Sequence, residues 1–500
     1  MKNHVLFITS LLVVMSCTTS EIHYVSSNGK KIKANKEAFN KTIISNTCRN
    51  GKGVIKFLGV LEEITCDPFN SAQNQQFDNE ERLGNLESIS IPDGVNSIGN
   101  NSFRGYRNLK EISLPNSIIT IGESVFEGCS NLETIKLPQG IQVVGDGIFK
   151  GCTNLKNIII PNNVKSIGLS AFANSGLNCI TIPEGVTAIC ASAFKNCTNL
   201  EEVIMSKCKI TRIDSSVFDG CTNLKNIIIP NTVEYIERNA FANSGLHSVT
   251  IPENVDYINW YAFRNCTNLE KVIMSKCKIR VIGQRAFEGC TNLKNIIIPN
   301  NVEHIGDFAF KGCANLKNII IPNNVEYIGD FAFADSGLNS ITFPKSVTKI
   351  GNGALSNCSN LKDVYIKAED ILVPRDIIKG TSEGAEMFIG GCRVHHGRRD
   401  WDLRVANDYN SFMEWIKKVE KFYNREEYES LTLTRMNDSW EMYVSRTTYY
   451  LQHYSTDSHR INYVAIDPKF HITIGVSMYV DGDILVQIGR ERMCFSSDYI

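Results

Sequence analysis

One line of text recurs through the middle of this chain. Residues 155–177 read LKNIIIPNNVKSIGLSAFANSGL, and the same pattern stands on either side: Leu, Ile-x-Ile-Pro, Val-x-x-Ile-Gly, Ala-Phe, Gly-Cys, Asn-Leu. Its proline slot falls at Pro92, Pro115, Pro138, Pro161, Pro183, Ser206, Pro230, Pro252, Ser275, Pro299, Pro322, Pro344 and Lys367, in steps of 22 to 24 residues. A fixed period of that size specifies a solenoid, in which each repeat is one coil that buries its apolar face only against its neighbours. The repeats take up about three-fifths of the 500 residues. Such an array displays surface, so recognition is the first functional expectation, ahead of catalysis.

Within a coil the apolar pattern changes period. The Ile-x-Ile segment alternates, which places Ile158 and Ile160 on one face and Asn157 and Ile159 on the other. Proline then ends the strand, because it has no N–H for a ladder. Val164 and Ile167 open the return path, and Ala171-Phe172 predicts a short helical turn. Phe103, Phe126, Phe149, Phe172, Phe194, Phe218, Phe241, Phe263, Phe287, Phe310 and Phe333 share one phase, and Leu355 follows them. They are expected to stack as a buried column. Cys129, Cys152, Cys197, Cys221, Cys266, Cys290, Cys313 and Cys358 each precede the proline slot by nine residues. By that count Tyr106, Asn174, Asn243 and Asp335 replace them, so the cysteines read as small fillers of a buried turn rather than as disulfide or metal chemistry. Pro161, Pro230 and Pro299 lie 69 residues apart, as expected from duplication of a three-coil block.

With LPxxVxxIGxxAFxGCxNL recurring over residues 83–367, the chain resembles the Treponema-type, or BspA-like, leucine-rich repeat family of bacterial surface proteins. The resemblance implies a right-handed leucine-rich repeat solenoid: a parallel-strand sheet, with short strands and helical turns on the return path. For some members it implies adhesion to host extracellular proteins or to other bacteria. The coils at Ser206 and Ser275 depart from the motif, with SKCKI in place of the proline turn.

The first 17 residues read as a signal. Lys2 and His4 precede an apolar run from Val5 to Met15, too short to span a bilayer and suited to a secretory signal. It ends at Val14-Met15-Ser16-Cys17, which resembles a lipobox and makes Cys17 the expected site of lipid attachment; ordinary secretion is the alternative. Thr18 is not the aspartate associated with inner-membrane retention, so an outer-membrane lipoprotein is expected, held by acyl chains alone. Residues 18–82 read as an N-terminal cap, and residues 21–66 resemble the caps of Bacteroides-type lipoproteins. Asn28-Gly29 is a hairpin-turn signal, residues 54–69, with Val60, Ile64 and Pro68-Phe69 after the apolar stretch 54–58, read as a degenerate first coil, and residues 70–82 as a polar loop. Cys48 and Cys66 lie in this cap, either as a disulfide or as two free thiols.

After Ile366 the motif stops. Residues 368–391 read as a linker and residues 392–500 as a small C-terminal α+β domain. A helix is expected from Asp408, with Phe412, Trp415, Ile416, Val419 and Phe422 in one apolar stripe, and a hairpin around Asp481-Gly482. His395 and His396 near Cys392, and Asp481 with Asp483, lack the spacing of metal sites. No G-x-S-x-G, H-E-x-x-H or phosphate-binding loop is present, so no enzyme, metal or cofactor is expected. Two rival readings remain: the C-terminal domain as an enzyme or second binding module with the repeats as targeting arm, or an envelope scaffold.

The outward strand positions carry the binding expectation. One column contains Ile159, Ile204, Ile228, Thr250, Ile273, Ile297, Ile320, Thr342 and Tyr365. β-Branched residues suit an exposed sheet for its own sake, but aligned exposed apolar area marks an interaction site. The expected partner is a protein of the host matrix or of a bacterial surface, or a glycan. A net charge of −1 and a pI near 6.8 give no basis for nucleic-acid binding. Radiolabelled palmitate should enter the wild-type protein in its host and not Cys17→Ala; equal labelling of both would rule out lipidation there.

Overall fold

The structure, a computed structural model, describes residues 19–69, 85–274, 276–368 and most of 371–389, and then the backbone of strands between residues 392 and 495. The chain divides into two compact units, Met1–Leu200 and Glu201–Ile500. Both are built from the expected coil. A strand before the proline slot forms a first ladder, and a two-residue strand on the return path forms a second. Equivalent residues of successive coils pair in parallel: Ser88 with Glu111 and Glu111 with Thr134 in the first ladder, Val143 with Ser166 and Ser166 with Ala188 in the second. In Glu201–Ile500 the second ladder is one sheet of seven strands, from Arg212–Ile213 to Lys349–Ile350.

The strand alternation is as the sequence predicts. Ile158 and Ile160 are buried and Ile159 is exposed. The proline slot closes a turn through its carbonyl, as where Val164 N–H donates to Pro161 at 3.1 Å. In the Ser206 coil the turn is one residue longer. Cys208 N–H donates to Met205 O at 3.1 Å, and Ile210 takes the place that Val holds elsewhere. The insertion accounts for the 24-residue step from Ser206 to Pro230.

The helical turn expected at the phenylalanine is absent. Among the described residues the helical element is the 3₁₀ turn Lys36–Ala38 in the cap. A helix needs each N–H to bond back along its own segment. Here the Phe N–H bonds sideways to the next coil: Phe149 to Ala171 O at 2.7 Å, Phe241 to Ala262 O at 2.8 Å. The chain bends instead through two left-handed residues per coil, two before and two after the phenylalanine, as at Gly147 (φ 60°) and Gly151 (φ 76°) around Phe149.

The phenylalanines stack as expected within each unit. Ring centroids are 5.4–5.8 Å apart from Phe103 to Phe194. They are 5.2–5.5 Å apart from Phe218 to Phe333. All are fully buried, and Leu355 takes the next slot, also buried.

The 22-residue coils have their own cause. In ANSGL a glycine replaces two residues of the usual turn, and its N–H meets the preceding coil, as where Gly245 donates to Cys221 O at 3.1 Å. A Cβ on Gly245 would collide with the carbonyl oxygen of Thr222, whereas one on Gly128 has only Gly105 near it, at 3.7 Å.

At the N-terminal end the cap strands are antiparallel, which corrects the first half of the degenerate coil expected at 54–69. Lys52–Leu58 pairs antiparallel with Ile43–Arg49 and with Thr19–Ser26, and Thr19–Ser26 also pairs antiparallel with Leu86–Ser90. Ile22, Tyr24, Ile55 and Phe57 are buried, so the cap covers both the open edge of the first ladder and the end of the core. The parallel pattern starts later, where Glu63–Ile64 joins Ser97–Ile98. Gly29 does lie in a turn with φ 73°, but the strand before it pairs with Lys52–Leu58 rather than with the next strand in the chain. Cys48 and Cys66 are free thiols; Cys48 stands opposite Gly53, and Cys66 Sγ accepts from Asn35 Nδ2 at 3.6 Å. The loop expected at 70–82 lies outside the described residues.

At the other end, part of the stretch read as a linker extends the ladder. Glu386–Ile389 pairs in parallel with Asp363–Ile366, and Cys392–Val394 then turns back antiparallel to cover the edge. Beyond it, strands from Leu403–Val405 to Glu491–Phe495 form an eight-stranded sheet. Thr473–Tyr479 and Ile484–Ile488, which flank Asp481-Gly482, pair antiparallel. The helix expected from Asp408 lies outside the described residues.

Two substitutions test this packing. Phe241→Ala removes a ring between Phe218 and Phe263 and should cost about 3–5 kcal/mol, read as a lower denaturation midpoint. Gly128→Ala should cost about 1–2 kcal/mol for its left-handed backbone, and Gly245→Ala more, because backbone must move. Calorimetry of the pair checks the order.

Candidate interaction surface

The first ladder has one face on the core and one in solvent, and the solvent face carries two columns. In Glu201–Ile500 the column nearer the strand start is polar, with Glu202, Asn226, Ser248, Lys271, Asn295 and Asn318 exposed. The column beside it is the apolar one. Its isoleucines are exposed from 39% at Ile273 and 47% at Ile204 to 66% at Ile297, 70% at Ile228 and 84% at Ile320. Thr250 is exposed and stands directly opposite Ile273 in the ladder. Thr342 pairs with Tyr365, which is 41% exposed.

The most exposed isoleucines are not strand residues. Ile204 and Ile273 lie inside three-residue strands, but the strands at Asn226–Ile227 and Asn295–Ile296 stop before Ile228 and Ile297. Ile320 lies in a segment with no strand. Preference for a pleated surface therefore does not explain these side chains. The column also runs one residue further than the repeat motif. Tyr365 pairs with Phe388, and their rings stack at 4.9 Å with 12° between planes. The signal for Phe388 was the alternation Met387-Phe388-Ile389 after the prolines had stopped.

Ile159 belongs to the other unit. It lines an open groove of about 750 Å³ with Ser113, Lys136 and Thr181 on the same face of Met1–Leu200. The nine expected partner-binding residues thus fall into two sets, Ile159 in the first unit and the other eight in the second. Cys17 lies outside the described residues, as do His395 and His396.

The cysteine column is built for packing. Cys152 Sγ donates to Phe126 O at 3.1 Å and Cys266 Sγ to Phe241 O at 3.0 Å, one coil back in each case. Burial pushes the Cys129 thiol up to about 12 and that of Cys197 to about 11, which keeps them protonated donors. The structure also corrects the alignment of the short coils. Ser175, Ser244 and Ser336 occupy the buried slot, and Asn174, Asn243 and Asp335 are the left-handed residues before it. Counting back from the proline missed this by one, because the glycine shortens those coils. Cysteine and serine share the slot because both are small hydrogen-bond donors. Among the described residues no group of three or more His, Cys, Asp or Glu is placed to hold a metal ion, and no helix is long and apolar enough to cross a membrane.

Two parallel ladders around an aromatic column, repeated every 22 to 24 residues, define a leucine-rich repeat solenoid. The chain belongs to the BspA type leucine rich repeat family, whose model matches residues 71–201, 188–302 and 280–373. Among solved structures it is similar to a leucine-rich repeat protein from Bacteroides ovatus ATCC 8483, at 28% identity over 62% of this chain and 88% of that one, with a TM-score of 0.46. A leucine rich cell surface protein from Faecalibacterium prausnitzii A2-165 is 29% identical over 56% of this chain and 79% of that one, with a TM-score of 0.34. The pneumococcal vaccine antigen PcpA is 20% identical over 78% of this chain and 88% of that one, with a TM-score of 0.41. No curated protein matches the chain.

Proposed function

We propose that this chain is an exported, lipid-anchored recognition protein whose first-ladder face in Glu201–Ile500 binds a protein surface. The observation that carries this reading is the column of exposed isoleucines that lies partly outside the strands it follows. Contiguous apolar area on a soluble surface costs solubility unless a partner covers it. A row of apolar side chains edged by Glu202, Asn226, Lys271 and Asn295 has the layout of an interface core with a polar rim. Lipid attachment at Cys17 would hold this face at the outer membrane, with host matrix proteins and other bacterial surfaces as its candidate partners.

The test is a pull-down with the mature chain against host matrix proteins, repeated with Ile204, Ile228, Ile273 and Ile297 changed together to Thr. Threonine keeps the branched shape and removes apolar area. Affinity for any captured partner should fall at least tenfold while the melting curve stays the same. A partner that binds parent and variant equally well would place its site elsewhere in the chain.

A further inference from the structure

The second ladder of Glu201–Ile500 carries rings on its outer side, Tyr235 exposed and Tyr257, His304 and Tyr327 half-buried. Tyr235 and Tyr257, then His304 and Tyr327, stand in one register column with Val281 between the two pairs, Arg212 at one end of the row and Lys349 at the other. In Met1–Leu200 the same position holds Ser97, Thr120, Val143, Ser166 and Ala188, with no ring among them. The same coil therefore closes without an aromatic residue there.

A second row follows four residues on in each coil, at the left-handed position before the buried phenylalanine. Met1–Leu200 fills it with Asn101, Ser124, Gly147, Ser170 and Ser192. Glu201–Ile500 places Tyr261, Phe308 and Phe331 there, with φ of 62°, 57° and 53°. Bulky side chains rarely adopt this backbone, and strain of this kind gathers where function requires a particular side chain. The rings of Phe308 and Phe331 stack at 5.2 Å. Arg285 lies 4.4 Å over Phe308, and Arg238 lies 5.4 Å over Tyr261. Trp260, 47% exposed, stands between Tyr257 and Tyr261 in the chain.

Most of the charges around these rings are paired, while Arg238 and Lys349 lie over the Tyr261 and Tyr327 rings. Arg264 pairs with Glu288 at 2.9 Å, Arg280 with Glu303 at 2.7 Å and Arg212 with Glu237 at 3.7 Å. Asn259, Gln284, Asp307 and Asp330 lie between the two rows in the sequence of each coil. A surface most of whose cations already hold carboxylates offers little to a nucleic acid or an anionic polymer, which bind through unneutralised cations. Rings interleaved with amides and carboxylates suit a ligand that has apolar C–H faces and many hydroxyls. Rings recur along several coils spaced about 4.8 Å apart, with Val281 and Arg285 in their place in one coil between them, so the ligand the strip matches is a chain rather than a single sugar.

We infer that this aromatic strip of Glu201–Ile500 is a binding platform for an extended neutral polysaccharide. Sugar rings lie on the exposed aromatic faces, and the flanking amides, carboxylates and guanidinium groups bond their hydroxyls. The platform is separate from the isoleucine face proposed for protein binding and stands without it.

The test is electrophoresis of the full mature chain in gels that contain a soluble β-glucan, an α-glucan, a mannan or, as the anionic comparison, polygalacturonate. At least one neutral polysaccharide should retard the parent. Tyr257→Thr, Trp260→Gln and Tyr327→Thr combined, which install residue types that other coils hold at these positions, should weaken that retardation at least tenfold. If this variant does not fold, Trp260→Gln alone carries the test, because that side chain is half-exposed. The variant with four isoleucines changed to threonine should be retarded like the parent. Retardation by polygalacturonate alone, by no polysaccharide, or equally for the folded ring variant and the parent would overturn the proposal, as would its loss in the isoleucine variant.

Discussion

No coil of this chain can bury its own phenylalanine. Each ring is covered by the ring of the coil before and the ring of the coil after, as Phe241 lies 5.5 Å from Phe218 and 5.2 Å from Phe263. The backbone around the ring is tied in the same direction. The Phe N–H reaches a carbonyl one coil ahead, and the cysteine thiol that follows reaches the phenylalanine carbonyl one coil back. Core packing, backbone hydrogen bonding and thiol donation all run between neighbours, so stability within each unit is a nearest-neighbour property. This explains why the ends need structures of their own. The antiparallel strands before Leu86 and the reversal at Cys392–Val394 give the terminal coils what a neighbour would otherwise supply.

The same dependence leaves the outward positions unconstrained. A side chain at Ile159 or Ile228 contributes almost nothing to the coil that carries it, since most of its surface is in solvent. The tyrosines of the second ladder occupy places where other coils manage with serine or alanine. Residues on these faces therefore report on what the protein meets rather than on how it folds. Two faces of Glu201–Ile500 carry different chemistries: aliphatic on the first ladder, and aromatic with paired charges on the second.

Much of the core was legible, because its period is strict. The inward and outward assignment of Ile158, Ile159 and Ile160 needed only the two-residue period of a strand, and the phenylalanine column needed only the repeat length. Other features were hidden for physical reasons. The absence of a helix at Ala171-Phe172 depends on where an N–H finds its acceptor, and that acceptor lies in another coil. Ser175 was misaligned with Asn174 because Gly176 removes a residue after it, a deletion visible only once the backbone shows which position is buried. The aromatic strip is not legible in any single coil: Tyr235 and Tyr257 line up only when the second ladder sets successive coils in register, and left-handed backbone at Tyr261 and Phe308 leaves no mark in sequence.

The sequence by itself determined the repeat length, the identity of the buried column and the face each strand residue takes. All three follow from periodicity, and periodicity is a local property. Only the tertiary structure decided how the array is closed and what its surfaces bring together. Whether Lys52–Leu58 runs parallel or antiparallel, whether Glu386–Ile389 joins the ladder, and which side chains of different coils stand opposite one another are all relations between segments far apart in the chain. Such relations are set by pairing and by backbone closure, and no stretch of residues carries them alone.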